Sequence, residues 1–243
     1  MKSRALILAA GKGKRMKSER SKVLHEINGK SIIEYVVEAL EVDEIERIGV
    51  IVSEQNIEEI KEVLGERVDY VIQKEQLGTG HAVSSSKNWL NGFEGSIVVV
   101  VGDAPFLDKK TVSELLAQFR QKKYACVLLS AIYETPPAYG RIVRDDKGIL
   151  LKIVEEKDAS DEEKNIKEVS TSHYCFDKIK LFSALRIIKN DNAQGEYYLP
   201  DVIEIFIKEN ELVDALPVDN PMITFGINSR EDLVLAEKMM KDS

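Results

Sequence analysis

The chain has 243 residues, of which 44% are hydrophobic, and a formal net charge of −8. That is enough apolar matter for one sizeable α/β core, and the wrong overall charge for a surface that coats nucleic acid. The longest apolar runs, Arg4–Ala10 and Ile97–Val101, fall far short of the roughly 20 residues that cross a bilayer, and no leader-like segment opens the chain, so a cytoplasmic protein is expected.

Arg4–Ala10 has the continuous small-apolar pattern of a strand buried on both faces of a parallel sheet. A loop follows at Gly11–Lys22, and then a helix over Ile32–Leu40 with Ser31 as its N-cap. Strands are predicted at Arg47–Ser53, Val68–Ile72, Gly95–Val101 and Ala125–Ile132, with helices between them at Asn56–Leu64, His81–Leu90 and Lys109–Lys122. Past Tyr133 the alternation changes. Arg141–Arg144 and Gly148–Glu155 read as a hairpin turning at Asp145–Lys147, and Glu156–Glu168 as a solvated acidic arm. A strand at Val169–Phe176 returns, with helices near Lys178–Ile188 and Asp201–Lys208, a short extended piece at Leu212–Pro217, and a terminal helix capped by Asn228 or Ser229. The expected architecture is a Rossmann-like, doubly wound mixed sheet with a small β-rich lobe, in one domain spanning 1–243: about 1–132 as the doubly wound half, 133–228 as the lobe with its insertions, and 229–243 as the C-terminal helix. Cys126 and Cys175 lie in strand-like stretches and read as buried reduced thiols, and no Cys/His spacing suits a metal.

The loop at Gly11–Lys22 holds six basic residues (Lys12, Lys14, Arg15, Lys17, Arg20, Lys22) against Glu19 alone, a local +5 in a chain that sums to −13 elsewhere. Glycine lets backbone approach phosphate oxygens while Lys and Arg neutralise them, so a polyanionic small molecule is the expected ligand. At the carboxyl end of a central parallel strand, the loop lies where open α/β sheets bind ligands. A Walker P-loop is excluded because Gly13-Lys14 is followed by Arg15 and the spacing from Gly11 is too short. The dinucleotide fingerprint would need a glycine at Met16 and an acid near Val52 or Ser53.

The run Leu8-Ala-Ala-Gly-Lys-Gly-Lys-Arg-Met16 with Lys22-Val-Leu24 resembles the signature of sugar-1-phosphate nucleotidylyltransferases. Gln73, Gln76–Ala82, Gly102-Asp103, Tyr139–Ile142, Glu155 with Lys157-Asp158-Ala159, and Gln194–Tyr198 resemble, in order and over nearly the whole chain, the uridylyltransferase domain of bacterial bifunctional N-acetylglucosamine-1-phosphate uridylyltransferases. The resemblance implies the nucleotide-diphospho-sugar transferase type of fold. It also implies transfer of a uridylyl group from UTP to a sugar 1-phosphate, most readily N-acetylglucosamine 1-phosphate, assisted by Mg²⁺. Arg15 and Lys22 would be catalytic; Leu8, Ala9, Ala10, Gly11, Gly13, Gln73, Gly78 and Thr79 would line the nucleotide; Gly140, Glu155 and Ser170 would meet the sugar; Asp103 and Asn228 would hold the metal.

Each residue also has a plainer reading. Asn228 can be a helix cap, Thr79 a turn cap, Glu155 a hairpin-face charge and Gly140 a turn glycine, while Lys17 and Arg20 read as surface and His25, His81 and His173 as structural. The chain departs from the family at Lys14 (Thr), Ser21 (Pro), Val101 (Tyr) and Ser170-Thr171-Ser172 (Asn-Thr-Gly). Shortening Asn to Ser removes amide donors, so glucose 1-phosphate or another sugar, another nucleotide, or a non-catalytic sugar-nucleotide sensor are the alternatives. The chain stops before the β-helix that carries acetyltransferase activity and trimerisation in such proteins. A monomer or weak homodimer without acetyl transfer, with no nucleic-acid or membrane partner, is therefore expected.

Overall fold

The computed structural model describes residues 2–11, 13, 16, 18 and 20–241. Strand β1 (Ser3–Leu8) is followed by a 3-10 turn at Lys22–Leu24, a small pair β2 (Glu26–Ile27) and β3 (Lys30–Ser31), and helix α1 (Ile32–Leu40). Then come β4 (Ile45–Val52), α2 (Ile57–Leu64), β5 (Asp69–Ile72), α3 (Thr79–Ser85), β6 (Ser96–Val101), α4 (Lys109–Arg120) and β7 (Tyr124–Ile132). The second half supplies β8 (Arg141–Arg144), β9 (Leu150–Val154), α5 (Asp161–Lys164), β10 (Glu168–Asp177), α6 (Lys178–Ala184), α7 (Asp201–Lys208), β11 (Leu212–Pro217), a 3-10 turn at Pro221–Thr224, and α8 (Arg230–Lys241).

The main sheet runs β11-β7-β10-β6-β1-β4-β5, with the β8–β9 hairpin attached through β8 to β10. Strand β1 is central and parallel to β4 and β6, and Leu8 lies opposite both Ile51 and Val101, so the loops after β1 and β6 leave the same edge side by side. Strand β10 is antiparallel to β6 and β7, which makes the sheet mixed. Both faces are covered. Val98 and Val100 of β6 point into a core with α1, α2 and α4, while Ile97 and Val99 point into one with α3, α6 and α7. Burial on both sides is why these strands read as unbroken apolar runs rather than alternating ones.

Several boundaries shift for identifiable reasons. Strand β1 ends at Leu8, and Ala9 and Ala10 are buried in the loop beyond it. Helix α3 begins at Thr79 and ends at Ser85, shorter than predicted, because the Ser84 and Ser85 hydroxyls bond back to the carbonyls of Gly80 and His81 and compete with the helical ladder. The acidic arm is not wholly irregular: Ser160 and Glu163 form a capping box for the single turn α5. Glu168 belongs to β10, where it accepts from Arg144 and from the Ser130 hydroxyl. Cys126 and Cys175 are free and buried, and burial pushes both thiols up, away from nucleophilic ionisation.

Candidate active site

The loop after β1 is shaped by backbone. Gly102 N–H donates to Leu8 C=O (3.0 Å), and a side chain at Gly102 would place its first carbon 3.0 Å from that oxygen, so glycine lets the β6 loop close tightly against the end of β1. Gly13 adopts φ +54°, and a Cβ there would lie 2.9 Å from Lys22 Cβ. From the far side, the buried Asn56 Nδ2 donates to Ala9 C=O (2.8 Å) and to Ser21 Oγ (3.3 Å), pinning both ends of the loop. Arg15, Lys14 and Lys17 lie outside the described residues. Arg20 is exposed and pairs with Glu26 at 3.5 Å, as a surface residue would.

Lys22 opens the 3-10 turn whose Val23 and Leu24 are buried. Its Nζ donates to Asp103 Oδ2 and to Asn228 Oδ1 (3.1 Å), with the Lys22 and Asp103 side chains only 16% and 19% exposed. Asp103 C=O accepts from Ile227 N–H (2.9 Å), and this bond brings the segment before α8 against the β6 loop. The cap of α8 is made by Ser229 and Asp232, whose carboxylate accepts from the backbone N–H of Asn228 and Ser229. The Asn228 side chain is thus turned to Lys22 and not to the helix. Among the described residues no three His, Cys, Asp or Glu side chains converge on a metal-sized space. Asp103 and Asn228 nonetheless present two hard oxygens to one cationic point, a donor set that fits a divalent ion completing its shell with phosphate oxygens and water.

The opposite wall is built around Gln73, which is buried. Its Nε2 bonds Gly78 C=O (3.3 Å) and His81 Nδ1 (3.1 Å), which assigns His81 a positioning contact and directs the amide oxygen of Gln73 elsewhere. Gly78 sits at φ +110°, and a Cβ there would lie 2.6 Å from Tyr197 C=O; one at Gly80 would meet Ile188 at 2.5 Å. The close approach is a clasp: Gly80 N–H donates to Tyr197 C=O, Tyr197 N–H to Leu77 C=O (2.8 Å each), and Leu199 N–H to Thr79 Oγ1 (2.9 Å). The Thr79 hydroxyl holds this clasp and does not cap α3, whose N-cap is Gly78.

Together these walls enclose a cavity of about 540 Å³ lined by Leu8, Ala9, Ala10, Gly11, Gly13, Lys22, Gln73, Gly78, Thr79 and Asp103. Gln76, Val101 and Glu196 also line it and were not assigned from sequence, although Gln76 and Glu196 stand inside motifs that were noticed there.

Gly140, Glu155 and Ser170 do not line this cavity but gather beside one another. Ser170 N–H donates to Gly140 C=O (2.8 Å), and an added Cβ at Gly140 would lie 3.5 Å from Glu155 Oε1. The Ser170 hydroxyl lies 3.3 Å from the buried Tyr174 hydroxyl, at a bulge where β10 slips register and Ser172 takes φ +59°. Burial, followed by the charges of Asp201 and Asp158, raises the Glu155 carboxyl above the usual range. Burial, with Glu204 and Asp158, lifts Asp201 to about 6.

The profile of the MobA-like NTP transferase domain matches residues 5–165. The chain belongs to this family. It is 46% identical over 241 residues to the bifunctional protein GlmU of Limosilactobacillus reuteri, an alignment covering 99% of this chain and 53% of the relative. It is 45% identical over 239 residues to the bifunctional protein GlmU of Bacillus subtilis, covering 98% and 52%. The chain spans about half the length of these curated relatives. A solved Bacillus anthracis structure described as a glucose-1-phosphate thymidylyltransferase superposes with a TM-score of 0.78 over 99% of this chain and 96% of that one, at 18% identity, which shows a shared fold. Nucleotidyltransferases of this kind act on nucleotides and generally use a divalent metal. No helix among the described residues is long and apolar enough to cross a membrane.

Proposed function

We propose that this chain transfers the uridylyl group of UTP to a sugar 1-phosphate, N-acetylglucosamine 1-phosphate first among them, releasing pyrophosphate. The observation that carries the reading is one cavity in which the glycine-walled loop after β1, Gln73 and Thr79 meet Lys22 and Asp103, with Asn228 joined to them through its hydrogen bond from Lys22. The GlmU relatives supply the substrate class.

In this reading the sugar-phosphate oxygen, already anionic near neutral pH, attacks the α-phosphorus in line, and the bond to the bridging oxygen of pyrophosphate breaks. No general base is needed, so catalysis is positioning and charge stabilisation. Backbone at Ala10, Gly11 and Gly13 cradles the triphosphate, Lys22 steadies charge on the α-phosphate, and Arg15 grips the departing pyrophosphate. The Gln73 amide oxygen accepts from the uracil N3–H, its nitrogen being held by Gly78 and His81. Asp103 and Asn228 are the residues to hold Mg²⁺, which neutralises phosphate charge when bound. Glu155, Gly140 and Ser170 face the acceptor sugar, so residues 1–132 would serve chiefly the nucleotide and 133–228 the acceptor. The protein would work in the cytoplasm as a monomer or weak homodimer.

A second reading has one observation in its favour. The Ser170 hydroxyl is directed to Tyr174, which leaves a shorter, amide-free wall and suits a sugar without the acetamido group.

Pyrophosphate release over four nucleoside triphosphates and several sugar 1-phosphates with Mg²⁺ tests both. UTP with N-acetylglucosamine 1-phosphate should be fastest. A maximum with glucose 1-phosphate would favour the second reading, and UTP binding without turnover of any pair would leave a sensor.

A further inference from the structure

The cation-binding pair is closed by the protein itself. The Lys22 ammonium stands on the point where Asp103 Oδ2 and Asn228 Oδ1 converge. The oxygens are fixed from behind: Gly102 N–H is bonded to Leu8 C=O, Asp103 C=O to Ile227 N–H, and Asn228 Nδ2 to Gly226 C=O (3.1 Å). The backbone of Lys22 is equally fixed, by buried Val23 and Leu24 and by the close approach of Gly13. The movable member is the four-carbon stem of Lys22. A divalent ion at that point would sit a few ångströms from the ammonium, and two positive charges that close in a partly buried site repel, so each disfavours the other there.

We propose that Lys22 is an internal stand-in for the divalent ion: in the nucleotide-free protein its ammonium occludes the Asp103–Asn228 pair, and a polyphosphate opens the pair by drawing that ammonium onto its own oxygens. The inference rests on the reading of Asp103 and Asn228 as the metal-holding oxygens. It makes metal and nucleotide binding mutually reinforcing, since each favours the arrangement in which Lys22 has left the carboxylate, and the coupling must be equal in both directions. It also gives Lys22 a delivery step: the charge released from Asp103 is the charge that arrives at the α-phosphate.

Mn²⁺ binding, followed by the free-ion paramagnetic signal, tests this without turnover. Lys22→Met keeps the stem and removes the charge. Without nucleotide, Lys22→Met should bind Mn²⁺ at least about tenfold more tightly than wild type, an enhancement that Asp103→Asn should abolish in the double variant. Lys22→Gln should reproduce it, with circular dichroism melting curves to confirm folding. With UTP present, wild type should gain Mn²⁺ affinity and Lys22→Met should gain less. If Lys22→Met binds Mn²⁺ no better than wild type while Asp103→Asn still weakens Mn²⁺ binding in the presence of UTP, the stand-in role is overturned and the metal assignment stands. If Asp103→Asn leaves that binding unchanged, the metal assignment fails and the stand-in role with it. Tight stoichiometric Mn²⁺ binding by nucleotide-free wild type would overturn the proposal whatever the variants do.

Discussion

The cavity proposed for the nucleotide and the cluster proposed for the acceptor are built in opposite ways. The first is made of backbone and glycine at the ends of parallel strands, with Lys22 compensating Asp103 and little freedom left in the walls. The second gathers residues from the loops flanking β8 and β9, from β10 and from the start of α7, around a bulge with a left-handed serine and two carboxyls, Glu155 and Asp201, whose protons are held more tightly than usual. A triphosphate has the same charge and shape in every reaction, and rigid main chain suits it. On the proposed reading, sugar preference would be set by a few polar side chains that can be exchanged without rebuilding the sheet.

Substitutions should separate the two regions by what they change. Lys22→Ala should lower the turnover rate by roughly 10²-fold or more, the scale of losing one charge-stabilising donor, and unchanged steady-state turnover would remove Lys22 from the reaction. Gly78→Ala forces a side chain against Tyr197 at a positive φ, and should cost about 1–3 kcal/mol in urea unfolding along with UTP affinity. Glu155→Gln should raise the KM for the sugar phosphate about tenfold, the worth of one charge-assisted hydrogen bond, while the KM for UTP stays put. A parallel change in both would break the division.

Two buried groups set opposing pH trends. Asp201 is raised to about 6, so between about pH 4 and 6 the native state holds the extra proton and stability falls as pH rises. His173, lowered to about 4 by burial, is charged only in the unfolded chain between about pH 4 and 6.5, so its contribution to stability rises with pH. Asp201→Asn should therefore flatten the fall and raise the melting temperature more at pH 7.5 than at pH 4.5. A uniform shift would show that Asp201 is not the titrating group. The smallest effect is expected at Ser172→Gly: relief of the left-handed conformation should stabilise the fold by about 0.5–1 kcal/mol in chemical denaturation, partly offset by the looser unfolded chain.

What was legible in the sequence was local. Strand, loop and helix around β1 follow from the apolar run Arg4–Ala10, a glycine pair and the Ser31 cap, all within a short window, and the capping box of Ser160 and Glu163 was equally visible although that stretch was read only as a solvated arm. What stayed hidden depends on partners far along the chain. Lys22 meets residues 81 and 206 positions away. Asn56, read only as a helix start, ties Ala9 to Ser21. Thr79 looked like a cap because caps are local, whereas its bond to Leu199 spans 120 positions. Ser172 signalled its positive φ only by standing where the family has glycine, since serine itself rarely adopts one and the bulge that imposes it belongs to the pairing of β10.

The position of β7 has a consequence for biosynthesis. Eight of its nine residues are buried, yet its ladder partners among the described residues, β10 and β11, are both encoded after it. When residue 132 has left the ribosome, the nascent chain carries an apolar strand with two open edges, and it must wait some forty residues for the first of them to close. The polypeptide that reads as two successive halves is therefore completed by two late strands, β10 inserted between β6 and β7 and β11 added beyond, and a release or a stall before them would leave a template for association with other chains.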